Sequence, residues 1–396
     1  MWWALAMALA QPVATDPPGR WYPEAEAERI AQLQALGYLG ATEPAPPVSG
    51  VTVQTARAGD GVNLLSSGHA PYAALVAMDG TVLHQWARAF SDSFPGRPEL
   101  ADHRSAGSWR HVTLLPDGGL LAIHEGIGLV RLGQDSRLIW AVPNRAHHDL
   151  VVHDGRVFVL TRALHRRGEG LPVLEDFVAE LSLATGERVR RFSVLRAVAA
   201  SDRPQWAEPA VDSGDVLHTN SLWRLTATQA QLHPAWSEGD WLLGSRVHGF
   251  VAVMAQDTGA LVWSTTGPWR RQHDVQLDAD GQLWLFDNQG SGEGRSRVLA
   301  LDPHGQQVLG QWDRGGALYS EVLGAVQPLP DGQLLVTEST RGRAWQVDRG
   351  TGEVVWAYTN PAQREGLIGA LYAVRRVPWA EVPWLPRPSG GIGDAP

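Results

Sequence analysis

Four histidines stand where strands are about to begin, in Arg110-His111-Val112, His147-His148-Asp149-Leu150, Leu217-His218-Thr219-Asn220 and Arg270-Arg271-Gln272-His273-Asp274-Val275. A neutral imidazole can attack an electrophile, and a protonated one can donate to a leaving group, both near neutral pH. His111 precedes Asp117 of the next Asp-Gly turn by six residues, His148 precedes Asp154 by six, and His273 precedes Asp280 by seven. A shared phase in a repeat implies a shared structural place. If the repeats surround an axis, His111, His148, His218 and His273 converge on it. Arg246, in Leu243-Gly244-Ser245-Arg246, ends a strand of the same region, and its planar fork suits a tetrahedral oxyanion. A single histidine in a strand reads as a structural residue; four at one phase read as a site. Strand alternation turns His147 away from His148, and Asp274 away from His273.

The elements that position these residues are short. From about Val51 the chain alternates apolar runs with Asp-Gly turns, in copies that end at Trp86, Trp140, Phe192, Trp263, Trp312 and Trp356. Trp263 to Trp312 is 49 residues and Trp312 to Trp356 is 44, the period of a four-stranded propeller blade. The longer gap of 71 residues from Phe192 to Trp263 places an insertion near Ala197–Pro209. The expected fold is therefore an all-β, six-bladed β-propeller over residues 51–380. The run Gly369–Val374 matches the strand that opens each blade and closes the ring against blade one. Inner strands line the channel, the blade-end tryptophans are core, and the Asp of each Asp-Gly serves its turn. In the sixth copy the residue matching the histidines is Ala325, so their ring is incomplete.

Residues 1–14 open on the apolar run Met1–Ala10 with Ala8-Leu9-Ala10, which reads as a secretory signal and a periplasmic or secreted location. Residues 15–50 read as a leader, with a short helix over Glu24–Leu36 and a Pro-rich linker, and 381–396 as a Pro/Gly-rich tail. The net charge of -9 disfavours a nucleic-acid partner. The chain contains neither Cys nor Lys, which removes thiolate nucleophiles, Cys-ligated zinc, Schiff-base lysines and P-loops. No run is long enough for a transmembrane helix.

The repeat, together with His147-His148-Asp149, Asp215-Val216-Leu217-His218-Thr219-Asn220-Ser221, Gly244-Ser245-Arg246 and Gln272-His273-Asp274, resembles the bacterial aryl sulfate sulfotransferase family over roughly Val51–Val377. The resemblance implies sulfuryl transfer from a phenolic sulfate ester to a phenolic acceptor, without phosphoadenosine phosphosulfate. It implies His273 as the nucleophile that becomes sulfated, and His148, His218 and Arg246 as the residues that hold the sulfuryl oxygens and assist the leaving phenolate. Asn220 and His111 are expected to line the substrate pocket. No cofactor and no metal are expected; the partners are an aryl sulfate donor and a phenol, with homo-oligomerisation open. Better-known exported members carry an N-terminal β-sandwich and some a disulfide near the site; neither is read in this sequence. Two rivals predict different behaviour: a metal-dependent propeller hydrolase of lactonase or esterase type, and a non-catalytic propeller that binds an anion or glycan.

Overall fold

The structure, a computed structural model, describes residues 43–165, 173–208, 214–364 and 366–387. The expected signal, the leader helix and most of the C-terminal tail lie outside the described residues.

Six antiparallel blade sheets follow one another along the chain, and in blades two to five the strands run in sequence order from the inside outwards. Their innermost strands are Leu371–Val377 in blade one, His111–Leu114 in blade two and Ala146–His153 in blade three. Thr219–Arg224, His273–Leu277 and Ala325–Leu329 serve blades four, five and six. Second strands such as Leu120–His124 and Leu283–Asp287 are buried along their whole length. Both faces of each sheet meet a neighbouring blade, so these strands read as continuous apolar runs rather than alternations. Six apolar clusters result, one at each blade-to-blade interface, including that between blade six and blade one.

The tryptophan expectation holds in graded form. Trp86 and Trp356 are fully buried, and Trp356 donates from Nε1 to the Met78 carbonyl of the next blade at 2.9 Å. Trp263 and Trp312 are only partly buried against their clusters.

The ring closes twice. Leu371–Val377 pairs with Val62–Ser67 and supplies the innermost strand of blade one, as the sequence predicted. Gly50–Gln54 adds an unforeseen fifth strand to the outside of blade six, against Val354–Thr359. The insertion after blade three contains a helix, Val194–Ala199, and a 3-10 turn, Pro204–Ala207, whose apolar side chains fill the interface between blades three and four.

Side chains of the inner strands bind the backbone of the next blade. Asp149 accepts from Leu222 N at 2.8 Å, Ser221 Oγ from Val275 N at 3.1 Å, and Asp274 from Val326 N at 2.6 Å. These bonds fix one level of the channel. The residue before each of them, His148, Asn220 and His273, therefore stands one level nearer the mouth.

Candidate active site

At that mouth three imidazoles come together. The His148 and His218 rings lie 4.8 Å apart between centroids, and the His148 and His273 rings 6.4 Å apart. All three residues are buried, at 2 %, 6 % and 3 % exposure. The backbone is bent to bring them there. His148, His218, Arg271 and Asp274 all have positive φ, between 49° and 55°. Such a conformation costs a non-glycine residue about 1 kcal/mol or more, and it concentrates at functional sites.

Hydrogen bonds set the tautomer of His273. Asn288 donates from Nδ2 to the carbonyls of Ser320 and Leu323, each at 2.8 Å, so its Oδ1 faces the imidazole. His273 Nδ1 lies 2.8 Å from that oxygen and 3.1 Å from the Arg271 carbonyl, two acceptors. Nδ1 therefore bears the hydrogen and Nε2 the lone pair. Burial is the main cause that pushes the His273 pKa well below its ordinary value, and the charges of Arg246 and Arg110 push it further down. Asp274 turns away from His273, accepting from Val326 N of the next blade and pairing with Arg375 at 2.5 Å.

A second chain of bonds sets His148. Arg162 can only donate, and its guanidinium lies 3.1 Å from His147 Nδ1, which is therefore an acceptor. His148 Nδ1 lies 2.9 Å from the same atom and 3.4 Å from the Glu125 carboxylate, an acceptor, so it carries the hydrogen and leaves a lone pair on Nε2. Burial, then the charges of His218 and Arg110, hold the His148 pKa well below its ordinary value. His147 and His148 thus meet rather than diverge, because the left-handed backbone at His148 interrupts the alternation.

His218 Nδ1 binds Asp215 Oδ2 at 2.6 Å. Burial alone would raise the Asp215 pKa, but the charge and hydrogen bond of His218, with Arg162 and His147, hold it below the ordinary carboxylate range. Asp176, beside Arg162 and bound by Thr219 N at 2.7 Å, is pushed up to about 6, chiefly by burial. Arg246 follows the second strand of blade four, and its backbone N–H donates to the His218 carbonyl at 3.2 Å. Asn220, expected in the substrate pocket, donates from Nδ2 to the carbonyl of Gln272, the residue before His273, at 2.7 Å.

His111 departs from the expected set. It stands at the level of Asp149 and Asp274, 3.6 Å from the Asp149 carboxylate, in a channel cavity of about 790 Å³ that Gln276, Gln327 and Arg375 also line. The count to the turn misled because the turns differ in length. Leu114 and Leu120 flank a five-residue connection in blade two, whereas His153 and Arg156 flank two residues in blade three. Burial pushes the His111 pKa down to about 3. Arg110 is the blade-two residue whose charge reaches both His148 and His273. Arg110, Asp215 and Asn288 were not assigned from the sequence. Asp215 could have been found, three residues before His218, while Asn288 lies fifteen residues past His273 with no local signal.

Glu125, His147 and His148 bring potential ligand atoms within 4.8 Å of one another. The Arg162 donor already occupies the His147 Nδ1 lone pair that a cation would need at that atom.

The fold and the site define a six-bladed propeller with an axial cluster of imidazoles at one mouth. More particularly, the chain belongs to the arylsulfotransferase (ASST) family, whose model matches residues 111–361. Membership supports an arylsulfotransferase-type function, and aryl sulfate substrates fit this family. No curated protein matches the chain. Among solved structures it is similar to a protein of unknown function from Bacteroides caccae, at 11% identity and a TM-score of 0.49, covering 80% of this chain and 98% of that one. It is also similar to a streptogramin B lyase, at 9% identity and a TM-score of 0.45, covering 83% and 87%. Among the described residues, no helix is long and apolar enough to cross a membrane.

Proposed function

We propose that this protein moves a sulfuryl group from a phenolic sulfate ester to a phenolic acceptor through a sulfohistidine at His273. The observation that carries this reading is the fixed tautomer of His273, a buried neutral imidazole with its Nε2 lone pair beside Arg246 and two further imidazoles.

In the first half-reaction the lone pair of His273 Nε2 forms an N–S bond while the S–O(aryl) bond breaks, and its electron pair stays on the aryl oxygen. Arg246 and His218 flank the sulfuryl oxygens and stabilise their charge as the planar group passes. Asp215 accepts from His218 Nδ1 at 2.6 Å and holds the ring toward the sulfuryl group. The His148 Nε2 lone pair accepts the hydroxyl proton of the incoming phenol. The phenolate then attacks sulfur, the N–S bond breaks, and its pair returns to His273 Nε2. His148 releases that proton to solvent and in the next cycle relays one from solvent to the departing phenolate, so protons balance over a turnover and the kinetics are ping-pong. This refines the role expected of His148, from a donor to sulfuryl oxygens to a proton carrier for the phenol. We also propose a periplasmic or secreted location; the apolar Met1–Ala10 run supports it.

The test is release of 4-nitrophenol from 4-nitrophenyl sulfate with and without phenol, followed by intact mass. Phenol-dependent release and a sulfuryl-sized adduct lost in His273→Ala are expected, both indifferent to chelator. Turnover abolished by chelator with no adduct would favour the metal-dependent hydrolase. Binding of aryl sulfates without turnover would favour the non-catalytic propeller.

A further inference from the structure

Arg110 stands immediately before the inner strand of blade two, anchored by its backbone N–H on the Ile123 carbonyl at 2.9 Å. Its guanidinium rests over the Tyr372 ring of blade one, 5.5 Å from the centroid. Among the described residues no carboxylate pairs with it, and its Nε is buried without a hydrogen-bond partner. Two other inward-facing guanidiniums are held by carboxylates: Arg162 lies against Asp176, and Arg375 binds Asp274. A cation kept at the mouth without a counter-charge is set for an anionic ligand.

Blade order says which anion. The interfaces run one to two, two to three and onward to six and back to one, so blade two lies across the axis from blade five. His273 belongs to blade five and its Nδ1 is tied back into that blade, so its Nε2 faces the axis. Displacement at sulfur puts the entering and leaving atoms on opposite sides. The aryl oxygen opposite His273 therefore lies on the side of blade two. His218 and Arg246, on blade four beside His273, flank the sulfuryl group instead. The effect of Arg110 on the titration of both His148 and His273 agrees with a place facing them across the mouth.

We infer that Arg110 is a catalytic residue that binds the phenolate oxygen, first of the leaving donor and then of the attacking acceptor. This rests on the sulfuryl-transfer reading above. As the S–O(aryl) bond breaks, its pair collects on an oxygen that accepts hydrogen bonds from the guanidinium. Arg110 gives up no proton; the proton for the phenol travels through His148. Charge on the departing oxygen is greatest for weakly acidic phenols, so Arg110 matters most for poor leaving groups.

The experiment compares wild type, Arg110→Met and Arg110→Lys on 4-nitrophenyl sulfate, phenyl sulfate and 4-methylphenyl sulfate, by single-turnover formation of the His273 adduct. The expected result is a loss in Arg110→Met at least tenfold larger for 4-methylphenyl sulfate than for 4-nitrophenyl sulfate, with Arg110→Lys between. An equal loss on all three donors, or none, would overturn the inference and place Arg110 on the sulfuryl group or outside the chemistry. Should Arg110→Met fail to fold, as judged by thermal unfolding, Arg110→Lys and Arg110→Gln are read for the same trend. Failure of the wild type to form an adduct with any donor would refute the transfer reading itself, a result separable from a uniform loss.

Discussion

Replacing Asp215 by Asn keeps the side-chain volume and removes one charge. The carboxylate binds His218 Nδ1 at 2.6 Å, with the two side chains 16% and 8% exposed, so water screens the bond little. Hydrogen bonds to charged groups contribute about 1.5–3 kcal/mol. If the imidazole stabilises the sulfuryl group only while the carboxylate holds it, that much stabilisation leaves the transition state. At 1.36 kcal/mol per decade, kcat/KM falls roughly 10- to 150-fold. The loss falls on charge carried by sulfuryl oxygens, which every donor shares. Asp215→Asn is therefore expected to slow 4-nitrophenyl sulfate and 4-methylphenyl sulfate by the same factor, unlike the Arg110 variants. The assay is adduct formation under single-turnover conditions, with thermal unfolding as the control for folding. A folded Asp215→Asn protein within twofold of wild type on all donors would refute the assignment of His218, whatever the role of His273.

His111→Ala should leave transfer within about threefold of wild type, because the ring sits one level below the mouth beside Asp149; a loss of a hundredfold would return it to the substrate pocket. Arg246→Lys should retain charge but lose the planar fork, lowering kcat/KM about tenfold and less than Arg246→Ala, measured on 4-nitrophenyl sulfate. Stability should fall on acidification below pH 6.5. His111, His124, His147, His148 and His273 all have lowered pKa values, so over that range the unfolded chain binds protons that the folded protein does not. Each such group removes up to about 1.4 kcal/mol per pH unit. Asp149 and Asp176 act in the opposite sense. Raised to about 7 and about 6, they are protonated in the fold above pH 4, where the unfolded chain has lost those protons. Five histidines outweigh two carboxyls, so the melting temperature should drop between pH 6.5 and 4.5; a rise would show that the carboxyls dominate.

The blades were legible because Trp and Asp-Gly recur at nearly constant spacing, and a buried second strand leaves an unmistakable apolar run. The closing strand was legible for the same reason. Gly50–Gln54 was not, since a single strand added to an outer edge has no repeat to announce it. Within the site, the convergence of His148, His218 and His273 followed from order around the ring. Two things were hidden. The level of each residue depends on turn length, which displaced His111 and concealed Arg110. The tautomers depend on Asn288 and Glu125, each just past the end of a second strand, at sequence positions unrelated to the histidines they orient.

Val62 pairs with Val377, 315 residues later, so the second strand of blade one is made near the start of synthesis and its inner neighbour near the end. While the chain emerges, blades two to five can each form from contiguous sequence, whereas Val62–Ser67 waits with an unpaired edge able to recruit a strand from another molecule. The late strand also delivers Tyr372, on which Arg110 rests, and Arg375, which anchors Asp274 below the nucleophile. A chain halted before residue 371 would thus keep His148, His218 and His273 but lack the final brace of the pocket. Turnover in such a protein reports on the completeness of its own translation.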